Sequence, residues 1–199
     1  GERSNEGIPS AAILHEGGSD LSGEPQKAAQ AMGDIASSAG MLYGEIQPDV
    51  ILVTGDRLDM LPSAVASLPF NIPLVHLHGG EVTEGAVDDR IRHALTKLSH
   101  LHCASSPGAR ERLLMLGEED WRIHLTGAPG LDTLRSAPQM TAIAFAEACG
   151  LTDIDGLRLV TVHPETNSAD PQAPCVAVLE ALAARPAPTL LTAPNSDPG

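Results

Sequence analysis

The chain has 199 residues and is acidic, with 12 Lys and Arg against 26 Asp and Glu and a formal net charge of −14 at pH 7. This charge excludes a surface built to bind nucleic acid or an anionic membrane. Hydrophobic residues make up 42% of the chain but aromatic residues only 2%. We therefore expect a globular protein with an aliphatic core and no stacking platform for nucleic acid bases.

Cysteine usage and hydropathy indicate the compartment. The three cysteines, Cys103, Cys149 and Cys175, form no Cys-x-x-Cys motif, as is typical of proteins from a reducing compartment. No apolar run approaches the roughly 20 residues of a membrane span, and the first residues lack the pattern of a signal peptide. The sequence predicts a cytoplasmic protein without a membrane partner. We interpret the missing initiating Met and the Pro/Gly-rich end as signs of truncation.

Short apolar runs alternate with helical patterns, which is the pattern of βαβ units and a mostly parallel sheet. The run at 49–55 is continuously apolar, as expected of a strand covered on both faces. In chain order, the sequence predicts a weak strand at 11–15, a helix at 25–45, a strand at 49–55, a helix at 58–68, a strand at 73–78, a helix at 87–99, a strand at 101–105, a helix at 107–116, a strand at 122–127, a strand at 157–163, a helix at 173–184 and a weak strand at 189–192.

The composition changes after about residue 135, where a proline and an Ala-rich helix precede a second strand-helix-strand series. We therefore predict two domains. Residues 1–136 form a Rossmann-like domain, and residues 137–199 form a linker helix and the start of a second Rossmann-like domain. The second piece is too short for a complete α/β domain.

Polar residues follow the predicted strands, at the sheet edge where open α/β proteins bind ligands. Carboxylates and imidazoles from separate strands would meet there. The candidates are Asp56 and Arg57 after the strand at 49–55, His78, Gly80 and Glu81 at the end of the strand at 73–78, and His163 and Glu165 at the end of the strand at 157–163.

Each of these candidates has a structural alternative. Asp56 is either catalytic or the N-cap of the following helix, and Arg57 is by default a solvated side chain. Glu81 follows two glycines that would let the backbone approach a ligand. Its alternative is a loop carboxylate that accepts local amide hydrogen bonds.

The helix at 87–99 begins with two carboxylates, which the helix dipole favours. Asp88 with Arg92, and Asp89 with His93, have the i,i+4 spacing of ion pairs. On this spacing alone, the residues have an electrostatic role in the helix.

Two histidines, His76 and His78, alternate onto one face of a strand, so a His-x-His metal site has to be considered. No third ligand is evident, and the alternative for His76 is a hydrogen-bonded core histidine. The sequence also has no Gly-x-Gly-x-x-Gly fingerprint, P-loop or Gly-x-Ser-x-Gly elbow. We predict no metal and no cofactor.

Four segments together carry a resemblance: residues 55–59 (GDRLD), 72–85 (IPLVHLHGGEVTEG), 88–102 (DDRIRHALTKLSHLH) and 163–166 (HPET). They closely resemble the hydrolysing UDP-N-acetylglucosamine 2-epimerases of sialic-acid-type sugar synthesis. The resemblance implies an α/β fold of GT-B type, in which two Rossmann-like domains hold a nucleotide sugar in the cleft between them. The first strand of that fold and an Arg-bearing phosphate loop are missing here, as is a Ser-rich helix start in the second domain.

The resemblance also implies roles for individual residues. Asp56, Glu81 and Asp88 match acidic catalytic positions, and His163 matches a catalytic histidine from the second domain. The complete protein is expected to bind a UDP-sugar and to form a homo-oligomer. The implied substrate-binding residues are Arg57, His78, Gly80, Arg92, His93 and Glu165.

The implied reaction converts UDP-N-acetylglucosamine and water to N-acetylmannosamine and UDP by elimination and hydration. One alternative is the same reaction on a UDP- or GDP-linked diacetamido-trideoxy hexose. The other is a catalytically silent fragment that binds nucleotide sugars. Because the phosphate-binding segments are missing, we expect the 199-residue chain alone to be inactive.

Overall fold

A computed structural model of the chain describes residues 25–152, 154–163 and 168–193. The strand predicted at 11–15 and the candidate Glu165 lie outside these ranges. Within them, no helix is long and apolar enough to cross a membrane.

Four strands form the main sheet, and all of them are parallel. They lie in the order β1-β2-β3-β4, so their carboxyl ends meet at one edge. The predicted parallel α/β fold is therefore confirmed for this part of the chain. The strands are β1 Ile51–Thr54, β2 Leu74–Leu77, β3 Leu101–Ala104 and β4 Ile123–Leu125.

Helices connect these strands, and their ends follow from local chemistry. Helix α4 begins after Ser106, whose side chain accepts a hydrogen bond from the Ala109 amide, and Pro107 occupies the first turn, where its missing N–H is harmless. Two short 3-10 turns, Leu68–Phe70 and Asp120–Arg122, precede β2 and β4. The helices of this part are α1 Pro25–Ile46, α2 Met60–Ser67, α3 Asp88–Leu98, α4 Pro107–Met115 and α5 Pro129–Ser136.

The core lies between one face of the sheet and helices α2 and α3. It is formed by Val53, Ala64, Leu74, Ile91 and Leu95. The i,i+4 spacing of Ile91 and Leu95 places both on the inner face of α3, as its apolar pattern predicts.

The opposite face of the sheet is covered much less. In β1, Val53 is 2% exposed, whereas its neighbour Leu52 is 60% exposed. The prediction that this strand is covered on both faces is therefore wrong for the described residues. Because the strands follow one another in a single direction across the sheet, right-handed crossovers place α2, α3 and α4 on the same face.

The remaining elements include a second, two-stranded sheet, in which β5 and β6 pair in parallel. They confirm the strands predicted near 157–163 and 189–192 and the helix at 173–184. The predicted boundary near residue 136 falls at the end of α5, and the division into two domains stays a prediction. The elements are α6 Ala142–Ala148, β5 Arg158–Val160, α7 Ala173–Ala184 and β6 Thr189–Leu191.

Candidate active site

The first part of the site is the turn after β1. Gly55 has a φ of 75°, a conformation that glycine adopts without steric cost. Its amide donates to the Leu77 carbonyl at 3.0 Å, and its carbonyl accepts a 2.8 Å hydrogen bond from Nε2 of His76. The next residue, Asp56, is thus presented from a turn that β2 holds in place.

His76 is fully buried in this arrangement. Burial lowers the pKa of His76 to about 4, so the ring is neutral at physiological pH. With Nε2 donating to Gly55, Nδ1 is the acceptor, and the Thr96 hydroxyl lies 3.4 Å from it. His76 therefore occupies the hydrogen-bonded core position considered above. Within the described ranges, no three metal-binding side chains form a group.

Arg92 of α3 connects Asp56 to the loop after β2. Its NH2 group donates to Asp56 Oδ2 and, at 2.8 Å, to the Thr83 hydroxyl. Its NH1 group lies 3.5 Å from Asp89 Oδ1, and the Arg92 side chain is only 5% exposed. The guanidinium therefore fixes Asp56 relative to the start of α3.

This geometry decides the alternative for Asp56. Helix α2 begins at Met60 with Asp59 in the N-cap position, so Asp56 lies too early to cap it. The cap interpretation is wrong, because tertiary contact with Arg92 rather than the helix end satisfies the carboxylate.

Glu81 is held by two donors. Nδ1 of His78 donates to Glu81 Oε1 at 2.8 Å, and the Ser105 hydroxyl donates to the same oxygen at 2.5 Å. Burial acts to raise the pKa of Glu81, but these hydrogen bonds, with smaller effects from the charges of His78 and Arg92, place the pKa below its ordinary value. Glu81 is therefore ionised at neutral pH, and it lies within the field of the guanidinium that binds Asp56.

Gly80 has a structural reason to be glycine. Its φ is 79°, and an added Cβ would lie 2.1 Å from the carbonyl oxygen of Ala109 in α4. Close packing of the loop against helix α4 is therefore the reason that this position requires glycine. Arg112 of the same helix donates to the Gly80 carbonyl at 2.7 Å, so the loop is fixed against α4.

The remaining candidates lie around this centre or away from it. Arg57 is 63% exposed and donates to Asp59 at 3.2 Å. His93 Nε2 lies 3.4 Å from Asp89, as its i,i+4 spacing predicts. Asp88 is the first residue of α3 and half-buried. His163 is exposed and follows β5, and its role across a cleft stays a prediction.

Sequence reasoning missed two of the polar residues that hold the site, Ser105 and Thr83. Ser105 directly follows β3, so the rule that selected residues after the other strands could have found it. Thr83 had no such signal, because it lies in a loop whose path depends on Arg92.

Comparison with known proteins identifies the family. The profile described as UDP-N-acetylglucosamine 2-epimerase matches residues 10–199. A UDP-N,N'-diacetylbacillosamine 2-epimerase (hydrolyzing) of Legionella pneumophila is 38% identical over 153 residues, which cover 76% of this chain and 40% of that protein. A UDP-N-acetylglucosamine 2-epimerase of Neisseria meningitidis is 34% identical over 149 residues, covering 75% of this chain and 38% of that protein.

Solved structures show the same fold. The UDP-GlcNAc 2-epimerase of Methanocaldococcus jannaschii, in complex with UDP-GlcNAc and UDP, superposes with a TM-score of 0.71 at 17% identity, over 87% of this chain and 49% of that one. The fold is thus the Rossmann-like, GT-B-type α/β fold of these nucleotide-sugar epimerases. The chain belongs to the UDP-N-acetylglucosamine 2-epimerase family, and it spans about 40% of the length of the curated relatives above.

Proposed function

We propose that the protein containing this chain is a hydrolysing 2-epimerase, which converts UDP-N-acetylglucosamine and water to N-acetylmannosamine and UDP. Family membership supports an epimerase. The Legionella relative, which is named as a hydrolysing enzyme and is 38% identical, supports the hydrolysing type. All three cysteines are free, which fits a reaction in the cytoplasm. We propose a homo-oligomer for the complete protein, as the resemblance implies.

The proposed reaction has two steps. In the first, the C2–H bond and the bond from C1 to the diphosphate oxygen break, UDP leaves with the bonding pair, and a glycal forms. In the second step, the hydroxyl of a water molecule adds to C1 of the glycal. C2 receives a proton on the face of the ring opposite to the one from which the first proton was removed. The sum consumes one water and leaves the redox state unchanged.

Carboxylates suit this chemistry for two reasons. Positive charge develops at C1 as UDP departs, and fixed negative groups stabilise it. Removal of the poorly acidic C2 proton requires a base placed against it. We assign proton transfer to Glu81 and Asp88, and electrostatic stabilisation to Asp56. We propose that His163 acts from the predicted second domain.

One observation carries the proposal: Glu81 is kept ionised by His78 and Ser105, within the field of the Arg92 guanidinium that binds Asp56. Two carboxylates from different strand ends are thereby fixed at one edge of the sheet. Such an arrangement suits the elimination of a nucleoside diphosphate, which needs a base at C2 and fixed negative charge near C1. We propose that Arg57, His93, the Gly80 loop and Glu165 lie along the bound substrate.

A second candidate substrate is a UDP- or GDP-linked diacetamido-trideoxy hexose. Two relatives are named for it, the Legionella protein at 38% identity and a GDP/UDP-N,N'-diacetylbacillosamine 2-epimerase of Campylobacter jejuni at 39% identity over 124 residues. Comparison of kcat/KM for both sugars in the whole protein distinguishes the two. The substrate of the proposal is wrong if the diacetamido sugar is preferred.

Isotope labelling tests the reaction itself. In heavy water, the whole protein should release N-acetylmannosamine with deuterium at C2, without added nicotinamide. In oxygen-labelled water, the label should appear at C1 of the sugar. Retention of the original C2 hydrogen, or label in UDP, would show that elimination is not the route.

Replacement of Glu81 gives the matching test of the site. Glu81→Gln keeps the volume and hydrogen-bonding capacity but removes the charge, so turnover should fall by roughly 10²- to 10⁴-fold with an unchanged melting temperature. The control is Glu84→Gln in the same loop, which should keep its activity. Full activity of Glu81→Gln would exclude Glu81 from proton transfer.

A further inference from the structure

The two donors to Glu81 converge on one of its two oxygens. Ser105 Oγ lies 2.5 Å from Oε1 and His78 Nδ1 lies 2.8 Å from the same atom. Within the described part of the chain, Oε2 accepts no hydrogen bond, and the side chain is 36% exposed. The carboxylate is therefore held at one oxygen and open at the other.

We infer that Ser105 is a positioning residue for Glu81: together with His78 it holds Oε1 and leaves Oε2 as the oxygen that exchanges the proton with the substrate. This inference rests on the proposed function. It adds a residue from a third strand end to the site and assigns different tasks to the two oxygens of Glu81.

Ser105 is suited to this task because its own position is fixed. It follows β3, which pairs in register with β2, and the His78 amide donates to the Cys103 carbonyl at 3.1 Å. The donors His78 and Ser105 are thereby set by the same strand pair. Their separation does not depend on a mobile loop.

The loop that begins at His78 and carries Glu81 is fixed as well. His78 has a φ of 65°, a left-handed conformation that is rare for residues other than glycine. The loop that follows is held to α4 by the bond from Arg112 to the Gly80 carbonyl, at 2.7 Å. Non-glycine residues in this region cost energy and cluster at functional sites. In this backbone conformation Nδ1 of His78 lies within hydrogen-bond distance of Glu81 Oε1.

The two-donor arrangement has a chemical consequence. A hydroxyl donating to a carboxylate makes a short, charge-assisted bond of about 2.5–2.7 Å, and it stabilises the ionised form. Because Oε1 already accepts one bond from the Ser105 hydroxyl and one from His78, proton transfer at that oxygen would require at least one of them to be given up. Transfer at Oε2 leaves them intact, and the carboxylate does not rotate between the two steps.

Titration of Glu81 tests this arrangement without any assumption about the reaction. In the 199-residue chain, the Glu81 carboxyl resonance is assigned by its loss in Glu81→Gln and followed by ¹³C NMR against pH. Ser105→Ala should raise the pKa of Glu81, and Ser105→Thr, which keeps the hydroxyl, should restore it. An unchanged pKa in Ser105→Ala would overturn the inference.

The adjacent serine provides a matched control. Ser106 caps α4, because its hydroxyl accepts a 3.2 Å hydrogen bond from the Ala109 amide. It is not one of the two donors to Glu81, which are His78 and Ser105. Ser106→Ala should lower stability by the loss of a cap and leave the pKa of Glu81 unchanged. An equal pKa change in Ser105→Ala and Ser106→Ala would contradict the inference, because it would trace the change to the start of α4.

Kinetics in the whole protein test the positioning role. Ser105→Ala should lower kcat by roughly ten- to a hundredfold through loss of alignment, with KM little changed. The limb of the pH profile that reports Glu81 should move to higher pH, and Ser105→Thr should recover most of the rate. A raised KM at constant kcat would overturn the inference in favour of substrate binding. A different outcome separates this inference from the proposed function. If neither the parent nor any variant turns over nucleotide sugars, but Ser105→Ala raises the pKa of Glu81 in the NMR titration, the proposed function fails and the hydrogen-bond arrangement stands.

Discussion

At the scale of single residues, Arg92 shows how far a tertiary contact can differ from helical spacing. Its spacing to Asp88 predicts an ion pair along the helix. In the structure it reaches across to Asp56 and Thr83, and along the helix its NH1 group lies 3.5 Å from Asp89. Its Nε and NH1 groups have no hydrogen-bond partner among the described residues. The NH2 group alone therefore makes the hydrogen bonds that join Asp56 to Thr83.

Removal of Arg92 should destabilise the protein. Arg92→Met keeps most of the packing but leaves Asp56 without its cation, and we expect a loss of roughly 2–3 kcal/mol, below the value for a fully buried pair. Asp56 is 22% exposed, which reduces the cost. Urea unfolding measures it.

Arg57→Met serves as the control, because Arg57 is 63% exposed and should change the free energy of unfolding by less than about 0.5 kcal/mol. Equal losses for the two variants would contradict the organising role of Arg92.

His76 makes stability depend on pH. Burial lowers the pKa of His76 from 6.5 to about 4. Between these two pH values, His76 is therefore protonated in the unfolded chain but neutral in the folded protein. The stability that depends on neutral His76 is therefore fully present above pH 6.5 and is lost as the pH falls toward 4. We expect a loss of roughly 2 kcal/mol between about pH 7 and about pH 5. Burial lowers the pKa of His102 as well, with the same sign.

The variant His76→Gln isolates this effect, because Gln can donate to the Gly55 carbonyl but does not titrate. Its free energy of unfolding should depend less on pH than that of the parent over the same range. Identical pH dependence in the two proteins would exclude His76 as the source.

At the scale of elements, the Gly80 loop packs so closely against α4 that an added Cβ at Gly80 would lie 2.1 Å from the Ala109 carbonyl oxygen. Gly80→Ala should destabilise the protein by at least about 2 kcal/mol, because the methyl group would meet the Ala109 carbonyl and the positive φ disfavours alanine. Thermal unfolding measures the loss.

Gly108 of α4 gives the opposite case within the same element. No atom lies within 4 Å of the position of its added Cβ, so Gly108→Ala should be neutral or stabilise by up to about 1 kcal/mol. A mild effect at both glycines would show that the loop can move away from α4.

The elements themselves follow local patterns closely. Helix α7, Ala173–Ala184, was predicted with the same ends, and α3 differs from its prediction by one residue at each end. The strands are shorter than their apolar runs, although backbone hydrogen bonds between neighbours continue past the strand ends, as from Gly55 to Leu77.

At the scale of the whole molecule, the sheet leaves apolar residues on its less covered face and at its edges. Leu52 is 60%, Val50 53% and Leu125 54% exposed. Exposed apolar patches drive association, so the 199-residue chain should self-associate with increasing concentration in sedimentation velocity.

The variant Leu52→Thr, which introduces a β-branched residue of the kind that strands favour, should reduce this association. Leu134→Thr is the comparison, because Leu134 is 71% exposed but belongs to helix α5 and not to a strand. A monodisperse parent chain, or equal effects of the two variants, would contradict the role of the sheet face.

The sequence by itself determined the order of strands and helices, the parallel sheet and the family. These depend on local hydrophobic periodicity and on motifs of contiguous residues, both of which are written along the chain. It also located Asp56 and Glu81, because parallel strands bring their carboxyl ends to one edge. Only the tertiary structure decided which groups hold these carboxylates. Arg92 contacts Asp56, which is 36 residues away in the sequence, and Ser105 contacts Glu81, which is 24 residues away. Contacts between such distant residues depend on how the helices pack on the sheet, and no local pattern encodes that packing.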